Sequence, residues 1–522
     1  MHNNTPTTVS IQYKAGSVLS YLQVLLSILS TMLFTPVLIH FLGKNEYGLY
    51  NSVVSTISML YLLGFGFNNG YIRFFSGFKR DNDLLSISKL NGLMMVVFII
   101  IGLVALIIGL YISNNLRLVF KDGLTPDELR IARKMMLILS FYLLFYFPSI
   151  VFTQIISAHE KFIFLKTVQI IRTVATPIIT IPFLYFGFRS VMIVLISSAV
   201  YIFIDFSLLF YVIFHLKEIF VFRNLEKDLF IKMAVYTSFI AINIIIDQIN
   251  WKLDIIILGR YCGSGVVAIY TIGSIFHTCF QRFSTSISNI FTPRIHRLVA
   301  SKSIKTDDEL NNLFIRVGRI QFFVLAFILT AYIFFGKPFI KLWAGNDFSQ
   351  AYFVGLILMF SVLSPLIQNI GIEIQRAKNV HKYVCIIYFF IAICNTILTI
   401  VLCPHYGAIG AAVGTAFSMI FGECIVMNIF YYKVCNINIL LFWKNILRIT
   451  AGLVLPCFLG AAIMKFVSIE SFLHLFLYSI PYLLFYIGSM WLFGLNQDEK
   501  KLFSSHLNTL YDKVFHRMHR TA

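Results

Sequence analysis

Four polar residues inside one apolar stretch are where this sequence could do chemistry. Asn243, Asp247, Asn250 and Asp254 recur at i, i+4, i+7 and i+11. On a helix turning about 100° per residue they form one polar stripe, with Asp247 and Asp254 nearly superposed. A charge at mid-bilayer costs at least about 2.5–3.5 kcal/mol on insertion scales, so each carboxylate needs a reason. Two readings stay open: a seam where Asp and Asn satisfy a neighbouring helix, or a cavity wall that holds a cation. Further along, Asn395 and Thr399 share a face at i, i+4, and so do Ala411 and Thr415. Oxygen-only ligands of this kind suit a hard cation. The basic candidates are Arg73, Arg172, Lys252 and Arg282. A guanidinium holds an anionic group through a bidentate fork and an ammonium holds it as a point charge, which makes these residues candidate contacts for an anionic substrate. Arg73 and Arg172 lie near an inner helix end, where snorkelling to the headgroups also accounts for them. Arg282 lies deeper. Asp205 and Glu423 are read either as proton-coupling carboxylates or as structural contacts.

The elements that must hold these residues are transmembrane helices. The chain has 522 residues, 58% hydrophobic and 12% charged, with mean hydropathy +0.83. A soluble domain would carry about 25% charged residues. A helical crossing needs about 20 apolar residues, and stretches such as 90–112, 135–157 and 383–403 supply them. The pattern predicts an all-α integral membrane protein of about fourteen spans, near 17–42, 49–78, 90–112, 135–157, 167–187, 190–214, 233–258, 266–291, 317–336, 351–371, 383–403, 407–432, 446–465 and 471–494. The net charge of +19 is not a nucleic-acid signature, because it concentrates in inner loops, richest at 215–232, 291–319 and the tail from 497. That bias puts both termini in the cytoplasm. No cleavable signal peptide is expected at the start. All eight cysteines lie in the second half, without metal-ligand spacing or an evident outer pair, and are read as small packing residues.

The chain also repeats itself. Leu42-Gly43-Lys44 followed by Gly48-Leu49-Tyr50 resembles Leu258-Gly259-Arg260 followed by Ala268-Ile269-Tyr270. Phe186-Gly187 matches Tyr406-Gly407, Pro148 matches Pro365, Lys161 matches Lys378 and Asp205 matches Glu423, all at offsets of 216 to 220 residues. The expected organisation is a cytoplasmic N-terminus (1–16), a six-helix lobe (17–215), a cytoplasmic linker (216–232) and a second six-helix lobe (233–435). Two further helices (436–494) and a basic cytoplasmic tail (495–522) follow. Six helices is an even number, so the lobes are parallel and related by a pseudo-two-fold axis along the membrane normal. That is a common plan for carriers that open a central cavity alternately to either side.

Several of these motifs resemble the polysaccharide-transporter branch of the MOP exporter superfamily, which also contains the MATE exporters. They are Lys14-Ala15-Gly16-Ser17, Pro36 with Leu42-Gly43 and Tyr47-Gly48-Leu49-Tyr50, and Gly64-Phe65-Gly66-Phe67-Asn68-Asn69-Gly70-Tyr71-Ile72-Arg73. Asp254-Ile255-Ile256-Ile257-Leu258-Gly259-Arg260 and Tyr406-Gly407-Ala408-Ile409-Gly410-Ala411-Ala412 carry the likeness into the second lobe. The resemblance covers about residues 10–495. It implies a two-lobe flippase in a bacterial cytoplasmic (inner) membrane. Its substrate would be an undecaprenyl-pyrophosphate-linked sugar unit for O-antigen, capsule or exopolysaccharide, and a polysaccharide polymerase and assembly proteins would be its partners. Arg73 and Arg282 match the arginines that related flippases carry on spans two and eight. The peptidoglycan-precursor flippases hold sodium between spans seven, eleven and twelve. Here that layout would use Asp247 as charged ligand, the Ala411 carbonyl, Asn395, Thr399 and Thr415. Thr399 stands where a second carboxylate is expected, so the coupling ion is left as Na⁺ or H⁺, and no other cofactor is implied.

Two other functions compete with this reading. A cation-coupled drug exporter of the same superfamily would share the fold but have an acidic, aromatic cavity without arginines. A membrane enzyme of glycan assembly would need a large outer loop bearing catalytic groups. The longest one here, about 113–134, has no acid pair or His–Arg cluster matched elsewhere outside, and the chain has no nucleophile–base motif or phosphate-binding loop. The expectation is a carrier, not an enzyme.

Overall fold

The computed structural model describes residues 6–64, 67–223, 227–301, 303, 305–501 and 504. Within some of these helices the side chains of individual residues, Asn243 and Asp247 among them, lie outside the description. The described chain is all helical, and ten of its segments are long and apolar enough to cross a membrane. Ala15–Gly64 and Lys382–Lys433, of 50 and 52 residues, are each more than twice one crossing. Both contain a glycine with non-helical backbone, Gly43 (φ 73°) and Gly407 (φ 56°). At Gly407 the chain folds back on itself. A Cβ at Gly410 would lie 2.5 Å from the Leu402 carbonyl, and one at Gly414 would lie 3.1 Å from the Thr399 amide. The two arms are therefore antiparallel and packed backbone to backbone, as small residues allow in membranes. Lys227–Tyr261 and Ser264–Ala300, the expected spans seven and eight, are not among the ten found over the described residues.

Local signals explain where helices begin. Thr125 caps Pro126–Ala158 through a capping box: its amide donates to Glu128 Oε2 (2.8 Å) and its hydroxyl accepts from the Glu128 amide (3.3 Å). Asp83 caps Leu84–Asn114, accepting from the amide and the hydroxyl of Ser86. Those hydrogen bonds hold the Asp83 carboxyl below its ordinary range.

The chain forms two compact units: Met1–Ile275 with Phe353–Leu358 and Lys382–Met419, and Phe276–Tyr352 with Met359–His381 and Ile420–Ala522. In the first unit, Leu49, Val53, Phe98, Met136, Phe147 and Val151 lie in the buried core. In the second, Thr306–Ala344 packs against Ile439–Thr450, Val454–Phe466 and Phe472–Ser489.

The repeat offset recurs in the backbone. Positive φ angles fall at Gly43 and Gly263 and at Gly187 and Gly407, each 220 residues apart. They fall also at Glu160 and Asn379 and at Lys217 and Asn436, each 219 apart. Side-chain clamps follow the same rule. In the first unit, Asn91 Nδ2 donates to Glu218 Oε2 (2.8 Å) and to the Ile219 carbonyl (3.3 Å). In the second unit, Asn311 Nδ2 donates to the Asn436 carbonyl (3.0 Å), and Asn311 Oδ1 accepts from the Asn438 amide (2.6 Å). Each clamp ties the segment that leaves a lobe's last expected span to a helix three spans earlier.

The two copies of the Gly48/Ala268 motif also touch. A Cβ at Gly48 would run into the Ser264 carbonyl and stand 3.0 Å from the Ala268 amide. Gly48→Ala is predicted to cost about 1–3 kcal/mol, because backbone rather than a movable side chain fills the space. Thermal unfolding of the detergent-solubilised protein would measure it. Gly77→Ala, where a Cβ meets nothing within 4 Å, serves as the unaffected control.

Candidate functional site

Asp254 sits on Lys227–Tyr261 two turns before the chain reverses at Gly263 (φ 87°). Its carboxylate is 1% exposed. Three hydroxyls donate to it: Tyr270 to Oδ2 at 2.7 Å, Thr415 to Oδ2 at 2.8 Å and Thr399 to Oδ1 at 3.1 Å. Tyr270 comes from Ser264–Ala300 beyond the Gly263 turn. Thr399 and Thr415 come from opposite arms of the Gly407 hairpin, each eight residues from its tip. At about 1.5 Å per residue, all four groups lie roughly 10–14 Å along their helices from a turn glycine. Two hairpins thus bring their polar residues to one depth.

Neighbouring amides complete the cluster. Asn395 Nδ2 donates to the Asn250 carbonyl (3.3 Å), and Asn395 Oδ1 lies 3.3 Å from the Thr399 hydroxyl. Thr415 Oγ1 is also 3.1 Å from the Ala411 carbonyl. Buried Asn250 Oδ1 has no hydrogen-bond partner among the described residues. Among the described residues the cluster holds one carboxylate and several neutral oxygens, a donor set whose single negative charge balances one proton or one monovalent hard cation. Asp254, Asn395, Thr399, Thr415 and Ala411 are thus brought together. Asp247, the expected charged ligand, has its side chain outside the described residues.

A second polar centre lies in the same unit. Arg172 and Asp205 line a cavity of about 330 Å³ with Tyr146, Ser149, Gln154 and Gln169. The Arg172 guanidinium donates to the Tyr142 hydroxyl (2.6 Å) and lies 3.8 Å from the centre of the Tyr201 ring. It is thus held by aromatic side chains, a hydrogen bond and a cation–π contact, rather than snorkelling free. Asp205 Oδ2 is buried without a hydrogen-bond partner among the described residues.

The remaining candidates are scattered. Lys252 is half-buried and makes no hydrogen bond or ion pair among the described residues. Arg73 is exposed on Phe67–Arg80 in the first unit, whereas Arg282 is half-buried on Ser264–Ala300 in the second. Glu423 is half-buried in the wide turn Ile420–Val426 of the second unit.

Sequence reasoning missed three features. Tyr270 was visible as the partner of Tyr50 in the repeat, but nothing in helical periodicity links it to Asp254 across a turn. Arg319 falls at the end of a basic loop stretch, yet it is fully buried. Its Nε and Nη2 reach Glu499 at 2.6 and 2.9 Å, and Nη1 and Nη2 reach the Asn445 and Gly494 carbonyls. The third feature is a cysteine contact: Cys262 and Cys403 are not merely packing residues, because their sulfurs meet.

Asp254→Ala would remove the acceptor of three buried hydroxyls. Thr415 can turn to the Ala411 carbonyl and Thr399 to Asn395, so the loss falls mainly on Tyr270. The expected cost is about 1–3 kcal/mol. In thermal unfolding, Asp254→Ala combined with Tyr270→Phe should then cost little more than either change alone; full additivity would refute the shared hydrogen bond.

With that geometry in place, the comparisons become informative. A family model described as "Polysaccharide biosynthesis protein" matches residues 14–299, more than half of the chain. Among solved structures, the lipid II flippase MurJ in an inward closed conformation superposes with a TM-score of 0.70 at 17% identity, over 91% of this chain and 97% of that one. An inward-facing multidrug resistance MATE family transporter of the MOP superfamily gives 0.58 at 14% identity, over 76% and 92%. The Vibrio cholerae MATE transporter VcmN in its bent form gives 0.52 at 15% identity, over 81% and 96%. No curated protein matches the chain. At such identities the likeness shows the fold, that of solved membrane transporters. The chain is a multi-pass, all-helical membrane protein and belongs to the polysaccharide biosynthesis protein family.

Proposed function

We propose that this chain is a flippase that moves an undecaprenyl-pyrophosphate-linked oligosaccharide from the inner to the outer leaflet of a bacterial cytoplasmic membrane. It would do so by alternating access, for surface polysaccharide assembly (O-antigen, capsule or exopolysaccharide). In this reading it crosses the membrane fourteen times, as two six-helix lobes (17–215 and 233–435) and two further helices, with both termini cytoplasmic. The ten apolar segments are compatible with that count, since two of them are long enough for two crossings each and two polar helices are 35 and 37 residues long. A polymerase that takes up the product on the outer face is the expected partner.

The observation that carries the reading is the Asp254 cluster, in a chain of a polysaccharide biosynthesis family with a flippase-like fold. An ionised carboxylate has about four acceptor sites to fill. This one draws on three separate helical arms, an arrangement that suits a group whose ionic partner comes and goes. Asp254, with Thr399, Thr415, Asn395 and the oxygens around them, is the proposed coupling site, and Na⁺ or H⁺ the ion. Arg172 in its cavity, Arg73, Arg282 and Lys252 are the proposed contacts for the charged headgroup, because guanidinium forks and an ammonium point charge fit phosphate oxygens.

Depletion of the protein in cells should accumulate the undecaprenyl-linked sugar in the inner leaflet and deplete the surface polymer. Unchanged intermediates and unchanged polymer would refute the flippase reading, and raised drug sensitivity in their place would favour an exporter. For the ion, replacing choline by sodium should raise the melting temperature of the wild type but not of Asp254→Asn, following the linkage RT ln(1 + [L]/Kd). A flat sodium response with pH-dependent transport would assign the site to protons instead.

A further inference from the structure

Two thiols meet at the tips of the hairpins that build the Asp254 cluster. Cys262 follows directly on Lys227–Tyr261 and precedes the Gly263 turn, and Cys403 stands just before Pro404 on the arm that leads to the Gly407 turn. Their sulfurs are 3.4 Å apart, and Cys262 Sγ also lies 3.2 Å from the Cys403 carbonyl. The residues are 141 positions apart in sequence, so this contact is tertiary and no spacing pattern foreshadows it. Exposure differs between them: Cys403 is fully buried and Cys262 only partly so.

We infer that Cys262 and Cys403 form a redox-active dithiol, whose oxidation to a disulfide ties the Lys227–Tyr261 helix to the Gly407 hairpin above the Asp254 cluster. Sulfurs 3.4 Å apart need close by only about 1.4 Å to reach the bonding distance of about 2 Å. The Cys262 thiolate, the accessible one, attacks an incoming disulfide of a small thiol or of an exchange protein. A mixed disulfide forms on Cys262 and one thiolate leaves. The Cys403 thiolate then attacks the Cys262 sulfur, and the second thiolate leaves. Two protein thiols lose two electrons, the incoming disulfide gains them as two thiols, and the protons pass to those leaving groups. The hydrogen bond from Cys403 lowers the pKa of the Cys262 thiol, which favours the first step.

The location gives the bond a consequence. Thr399 is one turn below Cys403, and Asp254 is two turns below Cys262. A covalent link at the tips keeps those helices together at the depth of the carboxylate, so the oxidised form is locked and the reduced form is free to part. The availability of an oxidant rests on the orientation proposed above, in which both tips face the outer side. Disulfides persist there, whereas the cytoplasm reduces them.

The test uses the full-length protein in right-side-out and inverted membrane vesicles, with the membrane-impermeant disulfide dithiobisnitrobenzoate as oxidant and peptide mass spectrometry as readout. The wild type in right-side-out vesicles should yield a 262–403 cross-linked peptide, reversed by dithiothreitol, with two aryl thiolates released per cross-link. Cys403→Ser should release one at this site and retain the aryl adduct on Cys262, which also shows that the variant is folded and accessible. A wild type that keeps the adduct on Cys262 and forms no cross-link in either preparation overturns the proposal. Cross-linking confined to inverted vesicles supports the dithiol and sinks the orientation, so the two failures are distinguishable.

Discussion

A carboxylate buried in protein has no bulk water from which to accept hydrogen bonds, so the chain must bring donors to it, and much of this architecture follows from doing so for Asp254. Its own helix cannot supply them, because helical backbone amides are already committed to the i−4 carbonyls. The donors arrive by chain reversal. Gly263 turns the chain so that Tyr270 comes back alongside Asp254, and Gly407 turns it so that Thr399 and Thr415 approach from two arms of one hairpin. Close arms are a condition of this geometry, since one carboxylate spans only a few ångströms. Gly410 and Gly414 meet that condition by letting the arms touch at backbone level. The motif Gly407-Ala408-Ile409-Gly410-Ala411-Ala412 thus acquires a physical role: a turn, a close approach, and small buried residues between them.

The same scaffold occurs in both halves of the chain, but the chemistry does not. Gly43 and Gly187 reverse the first half as Gly263 and Gly407 reverse the second. At the matching depths the first half holds Thr35, Tyr50 and Thr180, which are hydroxyl-bearing side chains without a carboxylate among them. Its own charges, Arg172 and Asp205, lie instead in a cavity between Phe162–Tyr185, Ser190–Phe210 and Pro126–Ala158. Asp205 has its counterpart in Glu423, but Arg172 and Asp254 fall opposite uncharged residues, so the turns and clamps recur while each half holds a different polar centre.

What was legible in the sequence follows from what is local. Apolar length, the polar stripe, the i, i+4 pairs and the repeat offset are one-dimensional properties, and they place Asp254, Asn395, Thr399 and Thr415 on the faces that later meet. Periodicity superposes Asp247 and Asp254 and so gives no ground for choosing between them. The depth of Asp254 is set by its distance from the Gly263 turn and by partners 145 and 161 residues away. Long-range pairs were invisible for the same reason. Arg319 looked like one more basic loop residue, because its partner Glu499 lies 180 residues on, past every helix from Ala351–Ile367 to Phe472–Ser489. Removing that guanidinium from water requires acceptors for its five N–H groups, and Glu499 with the Asn445 and Gly494 carbonyls supplies four. The segment after the last helix is therefore folded onto the protein at least as far as residue 499.

The hydroxyls around Asp254 carry a further implication. A hydroxyl has one proton to donate, and two of the three have a choice of acceptor. Thr415 lies 2.8 Å from the carboxylate and 3.1 Å from the Ala411 carbonyl, and Thr399 lies 3.1 Å from the carboxylate and 3.3 Å from Asn395 Oδ1. When the carboxylate is bare, both protons can point at it. When it takes a proton or a cation, both can swing to the alternative acceptor and expose oxygen lone pairs instead. Neither state strands a buried donor, so the energetic gap between them stays small, as a site that fills and empties requires. Tyr270 makes the shortest of the three contacts, 2.7 Å to Oδ2, and shares that oxygen with Thr415.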